Sequence, residues 1–168
     1  MNWVGTQALF RESLVLSTLL VSVYAATAAS QTHACKSRPC PVTIGRQAPA
    51  LPGTGLFGAG SAYWNGDLFV GGLWPNGTIV IPADSPDLSM KFGWFRANGL
   101  RGKLSIQGRR LDATAPPLGA DIPEGYGDTG FQASGVIFPT EGCWQVTGKV
   151  GDTSLTFVTL VVREKQTR

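Results

Sequence analysis

Basic and aromatic residues are concentrated in one stretch of the chain that contains no acid. No Asp or Glu occurs from 88 to 111, whereas 112 to 152 carries six acids and a single base. A surface that combines cations with an aromatic ring is suited to anionic glycans, wall polymers or lipid headgroups. The alternative is that the bases pair with the acidic segment across a sheet. We predict a ligand-binding face for an anionic envelope polymer, formed by Trp94, Arg96, Arg101 and Lys103.

A second group of candidate residues is acidic. The glycine-rich loop GADIPEGYGDTG carries Asp121, Glu124 and Asp128, and carboxylate oxygens are ligands that Ca²⁺ prefers. Their spacing matches no calcium loop that we can assign, and a solvated connection between strands explains the same composition. We treat calcium or another metal as a weaker alternative and expect no cofactor and no metal site.

The chain offers few of the residues on which enzymes depend. His33, its single histidine, lies near the N-terminus, so Ser-His-Asp, zinc and histidine general-base chemistry lack their usual participant. Residues 53–58 match the letters of a dinucleotide-binding G-x-G-x-x-G motif, but no strand precedes them and no helix follows. We predict that the protein is not an enzyme.

The composition narrows both the fold and the partners. The chain has 168 residues, of which 43% are hydrophobic, and this is too apolar for a disordered protein. Its 22 glycines and 11 prolines disfavour a helical bundle. A net charge of +3 is too small to indicate nucleic-acid binding, which we do not expect.

The N-terminal segment has the features of a secretory signal. Arg11 precedes an uncharged run with an apolar centre, and the run ends in small residues suited to cleavage near 28–30. We predict a signal peptide over 1–30 and a secreted or cell-envelope location. Membrane contact follows only if this segment is retained as an anchor or if Cys35 is lipidated.

Three cysteines are present, and export makes a disulfide possible. A Cys40–Cys143 bond would join the segment PVTIG to a late strand and close a long loop, which stabilises by about 4 kcal/mol in the chain-entropy model. A Cys35–Cys40 bond is the alternative, since the four-residue spacer between them can also close. We favour Cys40–Cys143 and leave the alternative open.

Short apolar runs separated by turn residues predict strands, and no stretch outside the leader has sustained helical periodicity. Lys103–Gln107 alternates apolar and polar residues, as a half-buried strand does. The runs Asp67–Gly71 and Thr78–Ile81 bracket the turn-like LWPNG, which predicts a hairpin. The runs are Asp67–Gly71, Thr78–Ile81, Met90–Phe95, Lys103–Gln107, Phe131–Phe138, Trp144–Val150 and Leu155–Val162.

This pattern predicts an all-β fold with one domain. We expect a single immunoglobulin-like antiparallel β-sandwich over 67–168, preceded by a turn-rich, Gly/Pro-rich segment over 31–66. Trp64 and Trp74 flank turns, and we expect them to cover the edge of the sandwich rather than to stack on a sugar. The predicted core consists of Phe131, Ile137, Trp144, Val146, Leu155, Phe157 and Val161.

The end of the chain favours an immunoglobulin-like topology in particular. In such domains a tight corner precedes G-x-Tyr-x-Cys, and the aromatic side chain bonds to backbone upstream. Here the corresponding stretch is GCWQV, with Trp144 at the aromatic position and an N–H that can take the same role.

Residues 109–162, with the ending FPTEGCWQVTG, resemble the C-terminal half of a group of uncharacterised secreted bacterial proteins. Proteins of that group carry a terminal immunoglobulin-like sandwich. The resemblance therefore implies export and this fold, with Phe138, Gly142 and Trp144 as structural positions. It implies no activity.

Two functions from different classes remain open on the sequence. The first is a non-catalytic exported binding or interaction module of the cell envelope or extracellular space. The second is a structural accessory domain that docks on another envelope protein. Joint exposure of the four predicted binding residues favours the first function. Burial of Trp94, or ion pairs that occupy the bases, favours the second.

Overall fold

The structure is a computed structural model, and it describes residues 39–48, 62–72 and 76–165. All regular secondary structure within these ranges is β-strand, which confirms the predicted all-β class. In this part of the chain, no helix has the length and hydropathy needed to cross a membrane. The predictions for 1–30, His33, Cys35, 53–58 and Trp74 fall outside the described residues.

Nine strands occur in the described part of the chain. They are β1 Tyr63–Asn65, β2 Leu68–Gly71, β3 Thr78–Ile81, β4 Leu88–Arg96, β5 Leu104–Arg110, β6 Gly119–Asp121, β7 Gly130–Phe138, β8 Gly142–Val150 and β9 Thr153–Arg163. A five-stranded sheet has the order β1-β2-β4-β7-β6, and a four-stranded sheet has the order β3-β9-β8-β5. The strands β3 and β9 run parallel, and the other neighbours are antiparallel.

The prediction of a hairpin around LWPNG is wrong. The strand β2 pairs with β1 and β4 in one sheet, whereas β3 pairs with β9 in the other. The strand β2 lies between two partner strands, and all of its residues are buried. The hairpin that does form joins β1 to β2 through Gly66–Asp67, so β1 lies inside the predicted 31–66 lead-in.

The apolar faces of the two sheets pack against each other and form the core. Phe157 of β9 contacts Phe92 and Trp94 of β4, with ring centroids 5.4 and 6.2 Å apart. Phe138 of β7 meets Trp144 of β8 edge to face at 5.7 Å. Each of these rings is at most 2% exposed. Such aromatic pairs contribute about 0.5–1.5 kcal/mol beyond their buried area.

Gly148 of β8 makes room for the largest side chain of this core. A Cβ at that position would collide with the six-membered ring of Trp94, which reaches across from the other sheet. Trp94 therefore rests on bare backbone. The lack of a side chain at Gly148 sets how closely the two sheets approach at this point.

The predicted core is correct on β8 and β9 and wrong on β7. Phe131 is only half-buried and Ile137 is 43% exposed. The inward face of β7 carries two polar side chains, which made the opposite register look more apolar. One of them, Ser134, accepts a hydrogen bond from Trp94 Nε1 at 3.0 Å. The inward residues of β7 are Gln132, Ser134, Val136 and Phe138.

A row of aromatic side chains crosses the outer face of the five-stranded sheet. The register places Trp64 opposite Phe69, Phe69 opposite Phe95, and Phe95 opposite Phe131, and opposite residues share a face. The ring of Trp64 stacks on that of Phe69, with centroids 5.6 Å apart. The Arg46 guanidinium carbon lies 4.1 Å from the centre of the Trp64 ring. Trp64 belongs to the edge strand β1 and thus packs on the outer face of this sheet.

The segment 39–48 runs beside β9, along the part of its edge that β3 leaves open. The Thr43 N–H donates to the Val158 carbonyl at 2.8 Å, and the Val158 N–H donates to Thr43 Oγ1 at 2.9 Å. The chain approaches closely here because Gly77 has no side chain: a Cβ at Gly77 would lie 2.6 Å from Val42 Cβ. A covered edge is protected from pairing with another chain.

A disulfide between Cys40 and Cys143 attaches this segment to β8, which confirms the favoured pairing. The two cysteines are 103 positions apart in the sequence. Beyond Cys40 the segment reaches the other sheet, where Arg46 and Ala62 exchange two backbone hydrogen bonds of 2.6 and 3.0 Å. The N-terminal segment therefore connects one edge of each sheet.

We expect the substitution Gly148→Ala to lower the free energy of unfolding by about 1–3 kcal/mol, because the added methyl group overpacks the core against Trp94. A matched control is Gly135→Ala, whose Cβ would make an ordinary contact of 3.6 Å with Asp121 Cβ. That control should stay within about 0.5 kcal/mol of the wild type. Urea unfolding monitored by tryptophan fluorescence measures both, and equal midpoints would contradict the packing described for Trp94.

We expect the double substitution Cys40→Ala and Cys143→Ala to lower the free energy of unfolding by about 4 kcal/mol, because the open loop restores entropy to the unfolded chain. The single variant Cys35→Ala is the control and should unfold like the wild type under oxidising conditions. A large loss in that control, or a Cys35–Cys40 peptide in a non-reducing digest, would favour the other pairing.

Candidate ligand-binding cleft

The four residues of the predicted binding face do not share a surface. Trp94 is 0% exposed and Arg96 is 3% exposed, so the expectation that both face solvent is wrong. The reason is the alternation of β4. The even-numbered side chains of β4, which include Phe92, Trp94 and Arg96, point into the core, while the intervening Phe95 points outward.

Arg96 lies at the end of β4, where the core opens toward two loops. Its guanidinium donates to four backbone carbonyls, those of Gly102 at 2.7 Å, Thr129 at 3.1 Å, and Gly127 and Gly130 at 3.3 Å. The carbonyls of Gly127 and Thr129 belong to the loop before β7, that of Gly130 belongs to the first residue of β7, and that of Gly102 belongs to the loop before β5. Arg96 therefore ties two loops to the end of one strand.

Burial and charge act on Arg96 in opposite directions. Removal from water lowers the pKa of its guanidinium, and the nearby Asp128 carboxylate raises it. Because arginine stays protonated in proteins, the group remains a cation. A buried cation is tolerated when its N–H groups are hydrogen-bonded, and the four carbonyls meet that need.

The other two residues of the predicted face remain at the surface. Arg101 is paired with Asp128 at 3.1 Å, and both side chains are exposed, by 69% and 52%. The backbone reinforces the pair, since the Gly102 N–H donates to the Asp128 carbonyl at 2.8 Å. Lys103, two positions after Arg101, is also exposed. The alternative that bases pair with the acidic segment thus holds for Arg101.

A cleft of about 660 Å³ opens between the start of β5 and the loop that precedes β7. This volume is in the range of small-molecule sites, roughly 300–1,000 Å³. The Arg96 hydrogen bonds hold that loop, so they also hold one wall of the cleft. The lining consists of Lys103, Leu104, Ile122, Pro123, Glu124, Gly125, Tyr126, Gly127, Asp128 and Gln132.

Gln132 supplies a buried polar group to this cleft. It is 5% exposed, and its Nε2 donates to the carbonyls of Pro123 and Ala133 at 3.0 Å each, which fixes the orientation of the amide. Its Oε1 accepts no hydrogen bond from the described residues. Gln132 is one of the residues that line the cleft, so its amide is available to a ligand there.

Tyr126 presents an aromatic surface at the mouth of the cleft. Its side chain is 40% exposed, and its ring lies edge-on to Phe131, with centroids 5.7 Å apart. This contact supports the tyrosine from the side of the outer sheet face. The sequence indicated neither Tyr126 nor Gln132 as a binding residue. The one feature that could have indicated Tyr126 is an aromatic residue inside a glycine-rich loop.

The three carboxylates considered for calcium do not come together. Glu124 and Asp128 line the cleft, whereas Asp121 lies on β6 opposite Gly135, on the outer face of the five-stranded sheet. Among residues 39–48, 62–72 and 76–165, no group of three or more His, Cys, Asp or Glu is placed to hold a metal ion. The structure therefore joins Lys103 of the basic stretch with two acids of the acidic loop.

No protein-family model, curated protein or solved structure matches this chain.

We expect Arg96→Met to lower the free energy of unfolding by at least about 2 kcal/mol, because four carbonyls lose a charged donor. Amide hydrogen exchange should also accelerate across 127–130. The matched control is Arg101→Met, which removes an exposed ion pair and should cost less than about 1 kcal/mol. Equal losses in the two variants, or unchanged exchange in Arg96→Met, would contradict the role assigned to Arg96.

Proposed function

We propose that this chain is an exported, non-catalytic binding domain, and that its ligand occupies the cleft between the start of β5 and the loop before β7. The observation that carries this proposal is Arg96. A buried guanidinium that bonds four carbonyls holds the cleft wall rigid before any ligand arrives. Such preorganisation lowers the entropy lost on binding.

We further propose an immunoglobulin-like topology for the domain. The order β2-β4-β7-β6 fits the A-B-E-D sheet of that fold, and β9-β8-β5 fits its G-F-C sheet, with β3 added beside the G position. A second support is the corner before β8, where Trp144 Nε1 donates to the Thr140 carbonyl at 2.9 Å. The chain departs from antibody domains in its disulfide, which leads from the F position to the N-terminal segment.

The lining of the cleft supports a role in binding rather than catalysis. Its described residues include no serine, cysteine or histidine, the usual nucleophiles and general bases. Two carboxylates are present, but Asp128 is engaged by Arg101 and lies in solvent. Export is supported by the Cys40–Cys143 disulfide, since such bonds persist in oxidising compartments.

A second candidate is a structural accessory domain that docks on an envelope protein. Two observations favour it: Trp94 is buried, and Arg101 is already paired. The strand β5 is an edge strand of the four-stranded sheet, and the backbone groups of its alternate residues that do not bond to β8 can pair with a partner strand.

We expect immobilised wild-type protein to retain material from a cell-envelope fraction. The variant Tyr126→Ala with Glu124→Gln should retain at least about tenfold less, because loss of an aromatic contact to the ligand costs that much or more. The matched control is Val80→Ala with Glu164→Gln, on exposed positions at the opposite edge of the four-stranded sheet. This control should bind like the wild type.

A protease-treated envelope fraction separates the two candidates. Binding that survives protease and disappears in the cleft variant supports the proposed function. Binding that disappears with protease and survives in the cleft variant supports docking on a protein instead. Equal retention by all three proteins, with and without protease, would overturn the cleft as the binding site.

A further inference from the structure

We infer that the cleft takes a neutral saccharide unit of an envelope or extracellular glycan. This inference rests on the proposed function, because it assigns a ligand class to the same cleft. It replaces the anionic polymer expected from the sequence, and it follows from the charge, hydrogen-bonding groups and apolar surface of the lining.

The charges of the cleft balance. The lining carries one cation, Lys103, and two acids, Glu124 and Asp128. Arg101 pairs with Asp128 at 3.1 Å and offsets its charge from just outside the lining. The side chains at the surface of the cleft therefore balance in charge. One further cation, Arg96, lies behind the wall, where it is buried and bonded to four backbone carbonyls. An anionic polymer would therefore gain little Coulomb attraction from the surface charges, whereas a neutral ligand needs none.

The side chains that line the cleft include both hydrogen-bond acceptors and hydrogen-bond donors. The Gln132 amide oxygen and the Glu124 carboxylate accept, the Lys103 ammonium donates, and the Tyr126 hydroxyl does both. A ligand that satisfies this set must carry several groups able to donate and accept. Hydroxyl groups have that property, and a saccharide carries several of them on one ring.

The side-chain amide of Gln132 makes the selection specific. The residue is 5% exposed, and two carbonyls fix the orientation of its amide. A ligand that covers Oε1 without donating to it would remove this oxygen from water and leave it unpaired. Sites built around a buried polar group discriminate strongly against analogues that lack its partner.

The apolar part of the lining is suited to the C–H face of a sugar ring. Tyr126, Ile122 and Pro123 lie on the loop, and Leu104 lies on the facing strand. Tyr126 has one side supported by Phe131 and remains 40% exposed. An aromatic ring with a polar tip offers both an apolar surface and a hydrogen bond to the same ligand.

The first experiment titrates the ¹⁵N-labelled, oxidised full chain with soluble neutral oligosaccharides of glucose, mannose, xylose and N-acetylglucosamine, and with oligogalacturonate as the anionic probe. We expect at least one neutral probe to shift the side-chain amide signal of Gln132 and the backbone signals of Gly125 and Gly127. Its dissociation constant should change less than about twofold between about 0.05 and 0.5 M salt, because no screened charge pair forms.

Variants show whether the binding uses the assigned groups. Tyr126→Phe removes one hydrogen bond and should lower affinity about three- to tenfold. Tyr126→Ala also removes the ring, so it should lose more than Tyr126→Phe and at least about tenfold. Lys149→Ala replaces another exposed lysine, on β8, and should bind like the wild type. Equal affinity of Tyr126→Ala and wild type would overturn the inference.

The second experiment separates this inference from the proposed function. Periodate cleaves vicinal diols of sugars, so periodate treatment of the protease-treated envelope fraction should abolish cleft-dependent retention. Retention that resists periodate, or preferential binding of oligogalacturonate that weakens about tenfold or more with salt, would overturn the saccharide while leaving the cleft as a binding site. Absence of all cleft-dependent retention would overturn the proposed function as well.

Discussion

The packing of Trp94 on Gly148 is the constraint on which both sheets depend. The indole extends from β4 onto bare backbone of β8, and its N–H is satisfied by Ser134 of β7. Because side chains alternate along β4, the register that directs Trp94 inward also directs Arg96 inward. One register thus provides both the centre of the core and the support of the cleft wall. A shift of β4 by one residue would turn both side chains outward.

Most longer strands could be predicted from the sequence, because β4, β5, β7, β8 and β9 are apolar or alternating runs bounded by turn residues. Their partners could not. The runs that became β2 and β3 are close in sequence, which favours a hairpin, yet β2 is buried between two strands and the chain changes sheets after it. On β7, Ser134 and Gln132 face inward because specific partners satisfy them, and a hydrophobic pattern contains no record of those partners.

The candidate site was predictable only in separate parts. Opposite charge in adjacent segments indicated ion pairing, and Arg101 with Asp128 realises it. Lys103, Glu124 and Asp128 were each identified, although in two unrelated hypotheses. Arg96 was misassigned because its burial depends on carbonyls 31 to 34 positions later, which no local pattern encodes. Gln132 was not predicted as a site residue, because a polar residue in a strand is expected on the solvent-facing side.

The disulfide has a consequence for the order in which this chain matures. Cys40 and Cys143 are 103 positions apart, and the segment that Cys40 anchors pairs with β9, the last strand. In a chain that is exported from its N-terminus, Cys40 emerges while β8 and β9 are still on the other side of the membrane. During that interval Cys35 is the one thiol within reach. Native pairing therefore requires that Cys40 stay reduced until translocation ends, or that thiolate exchange later reshuffles an early bond. If the chain is exported as proposed, formation of this disulfide depends on the thiol-oxidising and isomerising capacity of the compartment that receives it.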